Sequence, residues 1–310
     1  MKTLRLGTRG SKLAITQSRH IAALLRQQFP DLHIEEIIIR TTGDQRSIDH
    51  PKLAAGASDG KGIFTKEIEA ALLNNEIDFA VHSQKDLPPE MPEGLIHAAT
   101  PPRESAADSL VGEIGQKLED LKEGARIGTS SLRRQSQLLH LMPNCNVLPL
   151  RGNIDTRLRK LDEGEYDAIV VAGAALQRLN IRRGQWLDQK EFVPAPAQGA
   201  LAIQTRADDK STLALFKAIN DSAAECEVTA ERAVVKALNA GCSTPLGARA
   251  VISEDHYLQL WAVVLSPDGK KRLFAEAEGT LTGGHHLQEA ALIGQKVAQH
   301  LLDEGAGEYL

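Results

Sequence analysis

The sequence has little cysteine, and none of it is placed for a disulfide or a metal site. Cys145, Cys226 and Cys242 are odd in number and far apart, with no C-x-x-C pair and no metal-ligand spacing. Neither a disulfide nor zinc is expected, and the pattern suits the cytoplasm. Long hydrophobic runs are also lacking: none approaches the roughly 20 residues of a membrane-spanning helix. The opening Met1-Lys2-Thr3-Leu4-Arg5-Leu6 has no apolar core, so no secretory signal is expected. Basic excess is missing as well. The 36 Lys+Arg against 41 Asp+Glu give a formal charge of −5, which argues against a nucleic-acid partner. Gly60-Lys61-Gly62 is not a phosphate loop, because G-x-x-x-x-G-K-[ST] is absent. His285-His286 has no partners for a metal.

What is present fits an ordinary globular chain. Its 310 residues are 42% hydrophobic and 25% charged, enough for two or three domains with cores of their own. The arginines are placed unusually: Arg9, Arg133, Arg134, Arg151, Arg157 and Arg178 lie at or just beyond the ends of short apolar runs. In open α/β sheets ligands bind beyond the strands' carboxyl ends. A guanidinium there offers a planar, permanently charged fork for carboxylate or phosphate. An acidic chain with such arginines points to a small polyanionic ligand.

The pattern of strands and helices occurs twice. Leu4–Thr8 predicts a strand, Ser11 caps a helix reaching about Gln28, and strands follow at 34–40 and 77–81. After Pro101-Pro102 come a strand at 125–129, a serine-capped helix at 131–141, a strand at 147–150, a helix at 154–163 and a strand at 168–172. Arg5-Leu6-Gly7-Thr8 matches Arg126-Ile127-Gly128-Thr129, and Glu76-Ile77-Asp78 matches Glu165-Tyr166-Asp167. Two α/β domains of one topology, facing each other across a cleft, are expected. The first would span 1–101 with a return segment at 199–220, and the second 102–198. A small α+β domain at 221–310 would follow. The polar stretch 41–62, with its four glycines, is a candidate lid.

Each motif admits a chemical and a plain reading. In His82-Ser83-Gln84-Lys85-Asp86-Leu87-Pro88 a lysine beside an aspartate at a strand end places a carboxylate in a cleft, or forms a solvated turn. Gly128-Thr129-Ser130-Ser131-Leu132-Arg133-Arg134 gathers hydroxyls, helix N–H groups and two guanidiniums as an anion site, or is a capped helix with two solvated arginines. In Leu150-Arg151-Gly152-Asn153-Ile154-Asp155-Thr156-Arg157, Arg157 serves a ligand or pairs with Asp155 or Asp162. Cys242 lies on a Gly-Cys-Ser-Thr-Pro turn that presents its thiol, which suits a nucleophile; Cys145 and Cys226 are structural.

Together these segments resemble the porphobilinogen deaminase family. Thr8-Arg9-Gly10-Ser11, Lys61-Gly62-Ile63-Phe64-Thr65-Lys66-Glu67, the segments at 82–88, 128–135 and 150–158, Pro196-Ala197-Gln198-Gly199-Ala200 and Gly241-Cys242 occur in the family's order over essentially the whole chain. The resemblance implies two periplasmic-binding-protein-like domains plus a small C-terminal α+β domain. It implies a transferase of tetrapyrrole biosynthesis that joins four porphobilinogen units on a dipyrromethane primer, releasing ammonia. The primer would be held by a thioether to Cys242. Arg9, Arg133, Arg134, Arg151, Arg157 and Arg178 would hold carboxylates, assisted by Ser11, Ser83, Lys85, Thr129 and Ser131. Asp86, with Lys85, would be catalytic, and Lys61 and Phe64 would belong to the lid.

Two departures stand out. The loop at 41–62 is longer than the family's usual one, and Ser243 follows Cys242 where a bulkier polar residue is expected. The partner is the small molecule porphobilinogen, without nucleic acid, membrane or metal, and the chain is expected to be a cytoplasmic monomer. The competing reading is a two-lobed carboxylate-binding protein without catalysis. The Lys85-Asp86 pair and a third domain bearing Cys242 argue against it.

Overall fold

A computed structural model describes residues 3–42, 65–88, 90–241, 244–282 and 284–310. The elements in chain order are β1 (Thr3–Arg9), α1 (Lys12–Gln28), β2 (His33–Ile39), α2 (Lys66–Leu73), β3 (Phe79–Ser83), β4 (Leu95–Ala99), β5 (Asp108–Val111), β6 (Arg126–Gly128), α3 (Leu132–Leu141), β7 (Asn146–Leu148), α4 (Ile154–Asp162), β8 (Ala168–Ala172), α5 (Gly173–Arg178) and β9 (Gln185–Trp186). They continue with β10 (Leu201–Arg206), α6 (Lys210–Phe216), α7 (Ser222–Ala237), β11 (Leu246–Ile252), β12 (Tyr257–Leu265), β13 (Arg272–Thr280) and α8 (His286–Asp303). The chain divides into two compact units, Met1–Arg103 with Ala200–Glu225, and Glu104–Gly199 with Cys226–Leu310.

The first unit holds a sheet of order β2-β1-β3-β10-β4, in which β2, β1 and β3 run parallel and β10 runs against β3 and β4. Both faces are covered, so its central strands are apolar on both sides. Leu4, Leu6, Phe79 and Val81 pack with Ile21, Leu25 and Phe216, while Ile77 and Ala80 pack with Ile68 and Leu72. α1 starts where Ser11 accepts a hydrogen bond from the Ala14 N–H, and its buried positions 17, 18, 21, 22 and 25 recur at helical spacing.

The second unit repeats this design as β7-β6-β8-β5-β9, with β7, β6 and β8 parallel and β5 running against β8 and β9. The sequence repeat has a physical cause. Asp78 accepts the Arg5 backbone N–H at 2.8 Å and its guanidinium, and Asp167 does the same for Arg126 at 2.7 Å. Gly7 and Gly128 occupy equivalent places. A Cβ at Gly7 would lie 2.3 Å from Ile77 Cδ1, and one at Gly128 would lie 2.8 Å from the Tyr166 ring.

The second unit also contains the antiparallel sheet β11-β12-β13. One face packs Leu260, Ala262 and Val264 against Val234 of α7, Leu238 just after it, and Val297 and Leu301 of α8. The other face meets the chain before β10. Val193 packs on Trp261, Val263 and Leu265, Trp261 Nε1 donates to Gln189 O at 2.8 Å, and the Ala248 N–H donates to Pro194 O at 3.0 Å.

Three short elements, β5, α5 and β9, were not expected from the sequence. They run over four, six and two residues, too short for a period to show. The sequence reads β3 two residues early. Ile77 and Asp78 are buried but precede the hydrogen-bonded ladder. The candidate lid at 41–62 falls almost wholly outside the described residues.

Candidate active site

Parallel strands place their carboxyl ends on one edge, and the predicted residues follow those edges. In the first unit Arg9 ends β1, Ser11 caps α1, and the turn Gln84–Asp86 follows β3. That turn is anchored at both ends. The Gln84 N–H donates to Ala200 O at 3.0 Å, the Leu87 N–H donates to Gln84 O at 3.2 Å, and both residues are buried. With Gln84 and Leu87 turned inward, Asp86 is exposed and Lys85 half-buried. The solvated-turn reading therefore describes the exposure of Asp86 but omits how firmly the turn is held. Ser83 Oγ accepts from Gln17 Nε2 at 3.0 Å, tying the strand end to α1.

His82 sits directly behind this turn, 7% exposed, with its Nε2 buried and without a hydrogen bond. Burial pushes its pKa down to about 4. Gln204 opposes that shift, and the charges of Arg9 and His97 reinforce it. His82 is therefore neutral near pH 7.

In the second unit the anion-site motif follows β6. Thr129 is buried, and its Oγ1 accepts the Ser131 N–H at 3.2 Å. Ser131 caps α3 by accepting the Arg134 N–H. Ser130 Oγ joins two strand-end loops, donating to Leu150 O and accepting from Leu150 N, each at 3.1 Å. Arg151 follows at once. Arg157 Nε donates to Gly152 O at 2.8 Å, and Asp162 pairs with Arg183 at 2.7 Å.

Arg133 and Arg134 are not solvated. They are 4% and 6% exposed and flank Asp108, which is wholly buried. Asp108 Oδ1 accepts Arg134 Nε at 3.0 Å, Arg134 Nη2 at 2.6 Å and Gln198 Nε2 at 2.9 Å. Its Oδ2 lies 2.8 Å from Arg133 Nη2, in an ion pair. Arg133 Nη1 donates to Val193 O at 2.7 Å, and its guanidinium lies 5.9 Å from the Phe192 ring centre. Burial pushes the Asp108 carboxyl up, but the two guanidiniums outweigh it and hold its pKa at about 2. Burial pushes Arg133 down, an effect Asp108 partly reverses.

Arg178 ends α5, and its Nη2 donates to Gly199 O at 2.7 Å. Its Nε is buried with no hydrogen bond, and burial lowers its pKa to about 10 against the pull of Glu104. Such an orphaned donor on a buried guanidinium fits a carboxylate ligand. Lys61, Phe64 and Cys242 lie outside the described residues. The residues on either side of the Cys242 turn are placed. The Gly241 N–H donates to Thr244 Oγ1 and the Thr244 N–H to Gly241 O, both at 3.1 Å, and the exposed Gly241 has open space where a side chain would be.

Sequence reasoning missed Asp108 as a site residue, and it took Gln198 only as part of a motif. The one local signal is a carboxylate two residues before the apolar pair Leu110-Val111.

Residues 4–214 match the family described as porphobilinogen deaminase, dipyromethane cofactor binding domain, and residues 225–303 match the porphobilinogen deaminase C-terminal domain. Porphobilinogen deaminase of Brevibacillus brevis is 44% identical over 99% of this chain and 96% of its own. The Thermus thermophilus protein is 43% identical over 100% and 99%, and that of Bacillus subtilis 41% over 100% and 96%. Among solved structures, a periplasmic binding protein of Salmonella typhimurium is similar at TM-score 0.41 and 11% identity, over 71% of this chain and 92% of that one. The chain therefore belongs to the porphobilinogen deaminase family, with a dipyrromethane-cofactor-binding region followed by the family's C-terminal domain.

Proposed function

We propose that this chain is a hydroxymethylbilane synthase. It joins four porphobilinogen units head to tail, loses ammonia at each joining and releases the linear product by hydrolysis. It works as a cytoplasmic monomer. The observation that carries the reading is the exposed Asp86, held on an anchored turn at the carboxyl end of β3.

Cys242 holds the dipyrromethane by a thioether, on a turn whose neighbour Gly241 is exposed. When bound, that group supplies the electron-rich pyrrole carbon to which the first substrate is joined. Thr129, Ser131, Arg133, Arg134, Arg151, Arg157 and Arg178 hold the acetate and propionate groups of primer and growing chain. Arg9, Ser11, Ser83 and Lys85 do the same in the first unit. Guanidiniums suit this work because their paired N–H groups fix a carboxylate's orientation as well as its charge.

Asp86 acts on the substrate. The C–N bond of the protonated aminomethyl group breaks with its electron pair going to nitrogen, which leaves as ammonia, and the methylene carbon becomes cationic. The carboxylate of Asp86 stabilises that cation and accepts hydrogen bonds from pyrrole N–H groups. After the new C–C bond forms, it takes up the proton lost from the ring carbon. Lys85 places an ammonium beside a substrate carboxylate.

Asp86→Ala is expected to lower kcat by about 10²–10⁴-fold. Its thermal midpoint should be unchanged, because the side chain it removes is exposed. Near-normal turnover in the folded variant would refute the assignment.

A further inference from the structure

Two arginines and one carboxylate, all buried, leave an excess positive charge in the cluster around Asp108. A buried charge without a counter-ion is costly, so the cluster is incomplete until an anion arrives. The way Asp108 is shared decides how the guanidiniums are presented. Its Oδ1 takes three donors, two from Arg134 and one from Gln198, whereas Oδ2 has only the 2.8 Å ion pair with Arg133. Arg134 is further fixed by Nη1 donating to Val170 O at 3.1 Å.

Gln198 is itself held on both sides. Its Nε2 also donates to Ala106 O at 2.7 Å, and its Oε1 lies 3.4 Å from Arg134 Nη2. The preceding Ala197 takes a left-handed φ of 61°, which costs an alanine about 1 kcal/mol or more. That conformation is secured by the buried Glu231, whose Oε2 accepts the Ala197 N–H at 2.6 Å. A strained backbone over-determined in this way is one whose position is being specified.

We propose that Asp108 and Gln198 are positioning residues of the condensation: they fix the guanidinium of Arg134 and, with Val193 O, hold that of Arg133, so that the pair keeps one uncancelled positive charge for an incoming carboxylate. The inference rests on the reading of both arginines as carboxylate holders. Asp108 anchors one guanidinium while cancelling only one of two charges. One net charge remains for the ligand, which can then be bound and also let go as the chain grows.

The test uses the full-length protein, with Gln198→Met and Asp108→Asn beside Arg133→Gln and Arg134→Gln. Four quantities are read: the primer-bearing fraction by intact mass, the thermal midpoint, kcat per primed molecule, and KM for porphobilinogen. Gln198→Met keeps the volume and removes the hydrogen bonds of Gln198 to Asp108, Arg134 and Ala106 O but leaves every buried charge in place, so it is the variant that folds most readily. It should raise KM about tenfold or lower the primed fraction, while kcat per primed molecule changes less than about twofold. Asp108→Asn should do the same more strongly. A lower thermal midpoint with unchanged KM and primed fraction would show a purely structural role and overturn the proposal. A fall in kcat alone would overturn it as well. If the two arginine variants also leave KM and primed fraction unchanged, the reading of the arginines itself fails. If they raise KM while Gln198→Met and Asp108→Asn do not, only the positioning role fails.

Discussion

His82 and Asp108 are both buried titratable residues, and they predict different acid responses. The imidazole has its folded pKa lowered from 6.5 to about 4. Between those values the unfolded chain takes up a proton that the folded chain refuses, so stability falls as pH drops from 6.5 to 4 and then levels. The loss is about 3 kcal/mol. Asp108 has its folded pKa lowered from 3.8 to about 2, so its contribution is complete above 3.8 and disappears as pH falls towards 2. Thermal midpoints measured from pH 7 to 4 should therefore fall, and His82→Gln should flatten that slope. An unchanged slope in the variant would show that other groups govern it. At this scale the sequence reveals residue types and order but not distant partners. The strand-end positions of Arg9 and Asp86 and the serine caps are legible because their motifs are local. The Asp108 cluster is not, because its members lie 26 and 90 residues apart and share no spacing.

Helix α3 shows how an element is placed by more than its own sequence. Its start was legible from Ser131, and its buried face carries Arg133, Arg134, Gln137 and Leu138. Its other end meets the β12–β13 hairpin. His140 Nδ1 lies 2.9 Å from Gly269 O, and a Cβ on Gly269 would stand 2.6 Å from His140 N and 2.7 Å from Ser136 O. Gly269 also has a φ of +73°. Replacing it therefore adds a backbone clash to a conformational cost. Gly305 has a φ of +95° but no atom within 4 Å of the same position. Gly269→Ala should cost about 2–4 kcal/mol in urea unfolding, and Gly305→Ala only about 1 kcal/mol. Equal losses would mean that the hairpin tip yields and does not fix the helix. The long periodic helix α1 is legible from its serine cap to its end at Gln28. The four-residue β5 is not, although it supplies Asp108.

For the whole molecule, the repeat seen in the sequence has become two sheets of one strand order, each with its Arg–Asp pair and its close-packed glycine. Each sheet sends arginines and hydroxyls past the carboxyl ends of its parallel strands. The third sheet grips the segment of Val193 that holds Arg133. That architecture suits a protein that keeps a polycarboxylate covalently attached while extending it. The residues that most clearly separate such an enzyme from a carboxylate-binding protein are Asp86 and Cys242.

The most direct test of this account is the intact mass of the purified protein beside its Cys242→Ser variant. The account predicts an excess equal to two linked pyrrole units in the first and none in the second. If the natural protein still has the mass of the bare chain after incubation with porphobilinogen, covalent priming at Cys242 is contradicted.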